Sequence, residues 1–173
     1  SQMVALGVAE TVASLLPGQT VSVKWPNDIY VGDRKICGIL IECSLNGRRV
    51  SRAICGIGIN VNQEVFRSDA PNPVSIRQLT GADTPLEPLL NYVTSRILDL
   101  AETPREEWPR IAGAYFDRLY RREGIHPFLE VATGLRFNGH IEAVAPTGHI
   151  TIADSSTCEQ RRYAFKEVVF LHE

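Results

Sequence analysis

Hydrophobic and polar residues follow two different periods in the first third of this chain. Apolar residues recur at helical spacing from Met3 to Leu16, and Pro17-Gly18 ends that helix. From Val21 onward the period falls to two, which indicates β-strands because successive side chains then point to opposite faces. We predict strands at 21–25, 29–31, 35–44 and 49–61, joined by turns at Gly32-Asp33 and Asn46-Gly47. This order predicts an antiparallel meander that follows the helix.

Helical spacing returns between residues 75 and 122. Ser75 and Gln78 form the pattern of a capping box for a short helical turn, which Gly81 closes. Thr84-Pro85 and Thr103-Pro104 each give the start signal of a longer helix with one apolar stripe. These helices need no function beyond packing against a core.

The C-terminal segment returns to short alternating runs. We predict strands at 128–131, 135–137, 140–144, 149–152 and 162–169, with turns at Asn138-Gly139, Pro146-Thr147-Gly148 and Asp154-Ser155-Ser156. Short strands at this density predict a small β-barrel. The whole pattern predicts an α+β fold. A mixed, largely antiparallel sheet flanked by helices occupies residues 1–124, and the small barrel occupies residues 125–173.

Composition narrows the function only a little. The 173 residues are 44% hydrophobic and 22% charged with a net charge of −2, which is typical of a soluble globular protein. This balance argues against nucleic acid or a membrane as the main partner, and no apolar run reaches the roughly 20 residues that cross a bilayer. None of the four cysteines forms a CxxC pair, and Cys37, Cys43 and Cys55 lie in apolar strand-like runs. We interpret them as reduced, hydrophobic thiols of a cytoplasmic protein rather than disulfides or zinc ligands.

The predicted strand over residues 53–62 has two very different faces. Its apolar face is predicted to pack on the core and carries Cys55, Ile57, Ile59 and Val61. The opposite face is almost bare and carries Gly56, Gly58, Asn60 and Asn62. Glycine inside a strand marks a place where something approaches the backbone closely. The sequence leaves two alternatives open, a bound ligand or a neighbouring helix.

A dense polar cluster surrounds the end of the first predicted strand. Lys24-Trp25-Pro26-Asn27-Asp28 is followed on the adjoining strand by Arg34-Lys35. Cations grouped in this way suit a carboxylate or phosphate ligand, and Asp28 could hold a metal ion or orient an amine. A solvated turn with ion pairs is the alternative interpretation.

Three motifs in order carry a family resemblance. Residues 24–28 (KWPND), residues 34–42 (RKICGILIE) and residues 56–62 (GIGINVN) resemble the KWPND, RKxxGILxE and GxGINxN patterns of biotin–protein ligases. The likeness covers roughly residues 1–122, and the C-terminal segment is similar in size and position to the SH3-like domain of that family.

The resemblance implies a two-step reaction and assigns residues to it. Biotin and ATP would form biotinyl-5′-adenylate, with Mg²⁺ expected, and the acyl group would then pass to one lysine of a biotin-carrier protein. Lys35 is the principal catalytic candidate, contacting the biotin carboxylate and the α-phosphate. Lys24, Asn27 and Asp28 would surround the phosphate, the Mg²⁺ and the incoming amine. The floor under biotin and the linking phosphate would comprise Gly38, Leu40 and Gly56. Gly58 would also contact the substrates, and Asn60 would recognise adenine or its neighbourhood.

The chain also departs from the family pattern. The Gly-Arg-Gly-type loop of the family lies upstream of these motifs and is absent here, so we expect an N-terminally incomplete chain. Two rival functions are a lipoate-type acyl ligase or transferase of related fold and a non-catalytic binding module acting through the barrel, where Arg161-Arg162-Tyr163 is the candidate contact. Antiparallel edge pairing could make a homodimer.

Overall fold

The computed structural model describes residues 1–47, 49–67 and 72–171. Its helices are α1 (Gln2–Leu15), α2 (Ile76–Thr80), α3 (Leu86–Ala101) and α4 (Trp108–Asp117), with a 3-10 turn at Arg105–Glu107. Its strands are β1 (Val21–Lys24), β2 (Asp28–Val31), β3 (Arg34–Asn46), β4 (Arg49–Ile59), β5 (His126–Glu130), β6 (Arg136–Val144), β7 (Ile150–Asp154), β8 (Gln160–Tyr163) and β9 (Val168–Phe170). The predicted α+β class is confirmed.

The first four strands form one antiparallel sheet in chain order, so the predicted meander is confirmed. Gly32 and Gly47, in the two predicted turns, have φ angles of 56° and 61°, which glycine adopts without steric cost. The segment after α4 runs along the outer side of β1. There the Val23 N–H donates to the Arg118 carbonyl at 2.8 Å, and the Tyr120 N–H donates to the Val23 carbonyl at 2.9 Å.

One face of this sheet is apolar and packs against α1. Val23, Ile29 and Cys37 stand opposite one another on β1, β2 and β3, and all three are buried. Helix α1 also packs on α3 and α4. Gly7 permits the close approach of α3, because a Cβ atom there would lie 3.0 Å from the Ile97 side chain.

The apolar face of β4 is less buried than its pattern predicted. Of the three cysteines interpreted as hydrophobic thiols, Cys37 is buried, but Cys43 and Cys55 are exposed. Ile57 and Ile59 are half-buried. The reason is that Cys55, Ile57, Ile59 and Val61 line an open apolar groove of about 490 Å³ between β4 and α3.

Helical structure begins at or just after all three predicted start signals, but of these three only Ser75 provides the predicted side-chain cap. The capping box of Ser75 and Gln78 is present, and Gly81 ends α2 with φ 76°. Pro85, not Thr84, is the N-cap of α3, and Thr103 does not cap the 3-10 turn that follows it. The backbone of Thr84 is instead bonded to the Asn62 side-chain amide, at 2.9 Å in each direction. Within the described ranges, no helix is both long and apolar enough to span a membrane.

Residues 126–170 form a second antiparallel sheet in the order β8-β7-β6-β5-β9. Two details of the prediction are wrong, because Asn138-Gly139 lies inside β6 and the segment 162–169 is split between β8 and β9. Glycine is required at position 139, since a Cβ atom there would collide with the Ala153 carbonyl oxygen on β7. The SH3-like character of this sheet and the domain boundary near residue 124 stay predictions.

Candidate active site

The site is built on the face of the first sheet opposite α1. Lys24, Asp28, Gly38 and Gly58 stand directly opposite one another on β1, β2, β3 and β4. Cross-strand partners share a face of the sheet, so the four positions form one row. The structure therefore brings residues of all three sequence motifs to one surface.

A β-bulge adds Lys35 to the same surface. Tyr30 pairs with Lys35 and Ile29 pairs with Cys37, which leaves Ile36 as an extra residue on β3. In a regular strand, the side chains of residues 35 and 38 would point to opposite faces. The bulge places them on the same face. The extra residue is paired elsewhere, because the Asn60 N–H donates to the Ile36 carbonyl at 2.8 Å.

The backbone of Lys35 is fixed from the neighbouring loop. Its N–H donates to the Asn72 carbonyl at 2.9 Å, and its carbonyl accepts from the Val74 N–H at 2.9 Å. The Asn60 side-chain amide donates to the Lys35 and Val74 carbonyls at 3.4 and 3.1 Å. The NH₂ group of Asn60 thus holds the bulge in place, while its predicted contact with adenine stays a prediction.

Lys35 and Asp28 form an ion pair at the centre of the row. The Lys35 ammonium lies 2.6 Å from the Asp28 carboxylate, and both side chains are partly exposed, at 27% and 32%. A pair with this exposure adds little to stability, because water screens it. It leaves a cation and a carboxylate accessible to a ligand.

Lys24 lies against Tyr30 rather than against Asp28. Its ammonium donates to the Tyr30 hydroxyl at 3.2 Å and lies 5.0 Å from the centre of the Tyr30 ring. Burial lowers the pKa of Lys24, Asp28 opposes that shift, and Arg121 and Lys35 add to it. Burial, with Asp28 and Tyr120 nearby, raises the pKa of Tyr30 to about 12, so its hydroxyl stays protonated at neutral pH.

The loop between β1 and β2 is anchored on three sides. The Asn27 side-chain amide donates to the Ile39 carbonyl on β3. The Trp25 indole N–H donates to the Gly148 carbonyl at 2.9 Å, and the Tyr115 hydroxyl donates to the Pro26 carbonyl at 2.9 Å. The Trp25-Pro26 peptide bond is cis. These contacts fix the chain between Lys24 and Asp28.

The bare face of the glycines is open. A Cβ atom on Gly58 would have the Gly38 carbonyl, 3.8 Å away, as its only neighbour within 4 Å among the described residues. A Cβ atom on Gly56 would meet only the Leu40 backbone and Cβ atoms, at 3.8 and 4.0 Å, in that same part of the chain. Crowding by a helix is thus not the reason for glycine at these positions. Leu40 is 65% exposed and stands opposite Gly56, so it offers an apolar surface beside the glycines.

A small cleft of about 210 Å³ adjoins this surface and is lined by Lys35, Cys37, Gly38, Gly58, Asn60, Phe66 and Pro73. The sequence prediction missed Tyr30, Phe66 and Pro73. Tyr30 could have been found by strand alternation, because it lies two residues after Asp28 on β2. Phe66 and Pro73 lie in a loop whose sequence gives no sign of its path.

The side chains provide little for a metal ion by themselves. No group of three or more histidine, cysteine or acidic side chains in the described part of the chain could hold one. The single carboxylate of Asp28 suits Mg²⁺ only where substrate phosphates and water supply the other oxygen ligands.

Parts of this chain match known proteins of one family. Residues 2–60 match the model of the Biotin/lipoate A/B protein ligase family. The bifunctional ligase/repressor BirA of Bacillus subtilis (strain 168) is 42% identical over 62 residues, which are 36% of this chain and 19% of that protein. The biotin–[acetyl-CoA-carboxylase] ligase of Mycobacterium tuberculosis is 31% identical over 116 residues, which are 64% of this chain and 40% of that protein. The chain thus spans less than half the length of these relatives.

Solved structures show the same fold. The apo biotin protein ligase of Aquifex aeolicus superposes with a TM-score of 0.77 at 22% identity, over 99% of this chain and 74% of that one. The structure of that ligase in complex with biotin and ATP also gives a TM-score of 0.77 at 22% identity, over 99% and 70%. The family match covers the first two motifs and residues 56–60 of the third, and the fold is shared along almost the whole chain. The match of residues 2–60 to the biotin/lipoate A/B protein ligase family and the shared fold confirm the predicted resemblance to biotin–protein ligases.

Proposed function

We propose that this chain carries the carboxylate- and phosphate-binding surface of a biotin–protein ligase. The observation that carries the proposal is the open strip of Gly56 and Gly58, which lies beside Gly38 and the Lys35–Asp28 ion pair that covers it. A ligand can reach the strand backbone there, and a cation lies within reach of its negative charge. The bound biotin and ATP named for the Aquifex aeolicus structure support the same substrates here.

The first step joins biotin to the α-phosphate of ATP. An oxygen of the biotin carboxylate forms a bond to the α-phosphorus, and the bond from that phosphorus to the β-phosphate oxygen breaks, which releases pyrophosphate. Two anions must approach each other, so the main task of the protein is to reduce the repulsion between their charges. The Lys35 ammonium leaves Asp28 to contact both anions, and Lys24 adds a second positive charge on the same face.

The second step transfers the acyl group to a lysine of a biotin-carrier protein. The amine nitrogen forms a bond to the acyl carbon, the bond from that carbon to the AMP oxygen breaks, and the proton lost by the amine passes to solvent water. Asp28, freed from Lys35, can orient the incoming amine as a hydrogen-bond acceptor. Gly38, Gly56 and Gly58 form the floor of the site, Leu40 packs on biotin, and Asn27 and Asn60 hold the strands around it.

Mg²⁺ fits this site as an ion that binds together with the nucleotide. It would arrive with the ATP phosphates, and Asp28 would supply one oxygen ligand. The ion would neutralise phosphate charge during the first step.

The direct test is binding and transfer by the chain and two lysine variants. We expect a non-hydrolysable biotinyl-adenylate analogue to raise the melting temperature, since a ligand that binds only the native state stabilises it. The Lys35→Ala variant should lose most of that shift and of biotin transfer to a carrier domain. Lys166→Ala is the matched control, because Lys166 lies between β8 and β9, outside the site.

Two outcomes would overturn the proposal. If the analogue leaves the melting temperature unchanged, the site is not a biotinyl-adenylate site. If a lipoyl-adenylate analogue stabilises the chain and the biotinyl one does not, the chain belongs to the lipoate-type branch. Biotin transfer at equal rates by wild type and Lys35→Ala would remove Lys35 from the mechanism.

A further inference from the structure

We propose that Tyr30, Tyr120 and Arg121 form a positioning bridge that holds the Lys24 ammonium in place and ties it to the C-terminal sheet through the Leu171 carbonyl. The bridge gives these three residues an indirect role in the reaction, and its catalytic meaning rests on the proposed function. Tyr30, Tyr120 and Arg121 lie outside the three sequence motifs.

The bridge begins at Lys24. Its ammonium donates to the Tyr30 hydroxyl at 3.2 Å. Only 4% of Tyr30 is exposed, so this hydroxyl is a fixed acceptor rather than a mobile surface group. A lysine has a long flexible side chain, and a fixed acceptor restricts where its charge can lie.

The Tyr120 ring packs against the Tyr30 ring. The two ring centres are 5.1 Å apart and tilted by 36°, within the range of favourable aromatic pairs. The Tyr120 hydroxyl donates to the Asp33 carboxylate at 2.7 Å, and its backbone is bonded to Val23 of β1. Tyr120 is therefore held by both its side chain and its backbone, and it limits the movement of the Tyr30 ring.

Arg121 joins the aromatic pair to the second sheet. Its Nε donates to the Tyr120 hydroxyl at 3.1 Å, its guanidinium lies 5.2 Å from the Tyr120 ring centre, and its Nη1 donates to the Leu171 carbonyl. Leu171 is attached to the start of β5, because its N–H donates to the Pro127 carbonyl at 3.0 Å. The backbone of Arg121 has φ 58°, an unusual conformation for a residue with a side chain. The contacts of its guanidinium compensate for this conformation.

The charged groups around Lys24 make its position matter. Asp28 lies on β2, Lys35 lies on β3, and Arg121 lies on the segment that follows α4, and all three act electrostatically on Lys24. If Lys24 were free, it could move into solvent, away from the like charges of Lys35 and Arg121. We therefore expect loss of the bridge to move the Lys24 charge away from the row formed with Asp28, Gly38 and Gly58.

The test uses the small number of lysines. Lys24, Lys35 and Lys166 are the only ones in the chain, so a ¹⁵N-lysine ammonium spectrum is simple to assign. Such signals are observed only where hydrogen bonding and burial slow exchange with water. We expect a Lys24 ammonium signal in the wild type that disappears in Tyr30→Phe, which keeps the ring, and in Arg121→Gln.

The matched control is Arg122→Gln. Arg122 is adjacent in sequence, but it pairs with Asp117 and Glu123 and lies over Phe116. We expect the Lys24 signal to survive in this variant. If it survives equally in Arg121→Gln, with unfolding still cooperative, the bridge does not exist.

Kinetics separates positioning from a general loss of structure. In biotin transfer, Tyr30→Phe and Arg121→Gln should lower kcat by about tenfold or more with little change in KM for biotin, since uniform binding is not affected. Equal kcat in the variants and the wild type would overturn the positioning role. If the Lys24 signal responds as expected but no biotin is transferred by any form, the contacts stand and the proposed function fails.

Discussion

The indole N–H of Trp25 donates a hydrogen bond to the carbonyl of Gly148, 2.9 Å away, across 123 residues of sequence. It joins the loop that carries Asn27 and Asp28 to the turn between β6 and β7. Trp25 is 6% exposed and Gly148 is half-buried, so water reaches this bond only in part. The second sheet is therefore part of the support of the candidate site.

Substitution of Trp25 by Phe should destabilise the protein and weaken ligand binding. The half-buried Gly148 carbonyl would lose its partner, and a hydrogen bond of this kind contributes roughly 0.5–1.5 kcal/mol to stability. Urea unfolding measures this change. The control is Trp108→Phe. The Trp108 indole donates to the nearby Thr103 carbonyl at 3.1 Å, and Trp108 is 41% exposed. An equal loss of stability in both variants would contradict the role given to the Gly148 contact.

Lys35→Ala should change ligand affinity much more than stability. The Lys35–Asp28 pair is partly exposed, and we expect a change below about 1 kcal/mol in the free energy of unfolding. Loss of the cation beside two substrate anions should weaken binding of the adenylate analogue by about tenfold or more, which is about 1.4 kcal/mol. Calorimetric titration and urea unfolding measure the two quantities. A large loss of stability with unchanged affinity would show that Lys35 is a structural residue.

Gly58→Val should block ligand binding without preventing folding. The added side chain would enter open space above the sheet, because its Cβ atom would have only the Gly38 carbonyl nearby, at 3.8 Å. The same atoms would occupy the space that the ligand needs. Gly113→Val, at an open position in α4, is the control for glycine substitution as such. If Gly58→Val binds the analogue as tightly as the wild type, the glycine strip is not the floor of the site.

The stability of the second sheet should fall in acid through Asp154. Hydrogen bonds from the Ser156 hydroxyl and N–H hold the pKa of this carboxyl below its ordinary value of 3.8. A carboxyl with a lowered folded pKa contributes stability that is complete above its ordinary value and is lost as the pH falls through the folded pKa. Acid unfolding followed by circular dichroism should show a smaller dependence on pH below 3.8 in Asp154→Asn than in the wild type. Asp117→Asn, at an exposed carboxylate, should keep the full dependence.

The four cysteines should divide into two classes of reactivity. Burial raises the pKa of Cys37 to about 12, so its thiol stays neutral and covered at pH 8. Cys43, Cys55 and Cys158 are exposed. Brief alkylation of the native protein should therefore add three labels by mass spectrometry, and the fourth should require denaturant. Rapid addition of four labels to the native protein would contradict the burial of Cys37.

Much of the local structure follows from the sequence alone. The strand alternation and the turn glycines predict the β1–β4 meander, and the Ser75–Gln78 capping box predicts the start of α2, because these signals act between near neighbours. The order of the three motifs indicates the family. The two faces of residues 56–62 separate glycines and amides from apolar residues, since strand side chains alternate.

Only the tertiary structure shows which residues meet. The bulge at Ile36 places Lys35 on the face of Asp28 and Gly38, against simple alternation. Hydrogen bonds join the Ile36 and Lys35 backbone to residues 60, 72 and 74 and hold the bulge. Gly139 belongs to a strand and not to a turn because the β7 backbone approaches it. The contacts of Lys24, Tyr30, Tyr120 and Arg121 join segments almost a hundred residues apart. Local sequence patterns do not specify such contacts, because the contacts depend on how the whole chain packs.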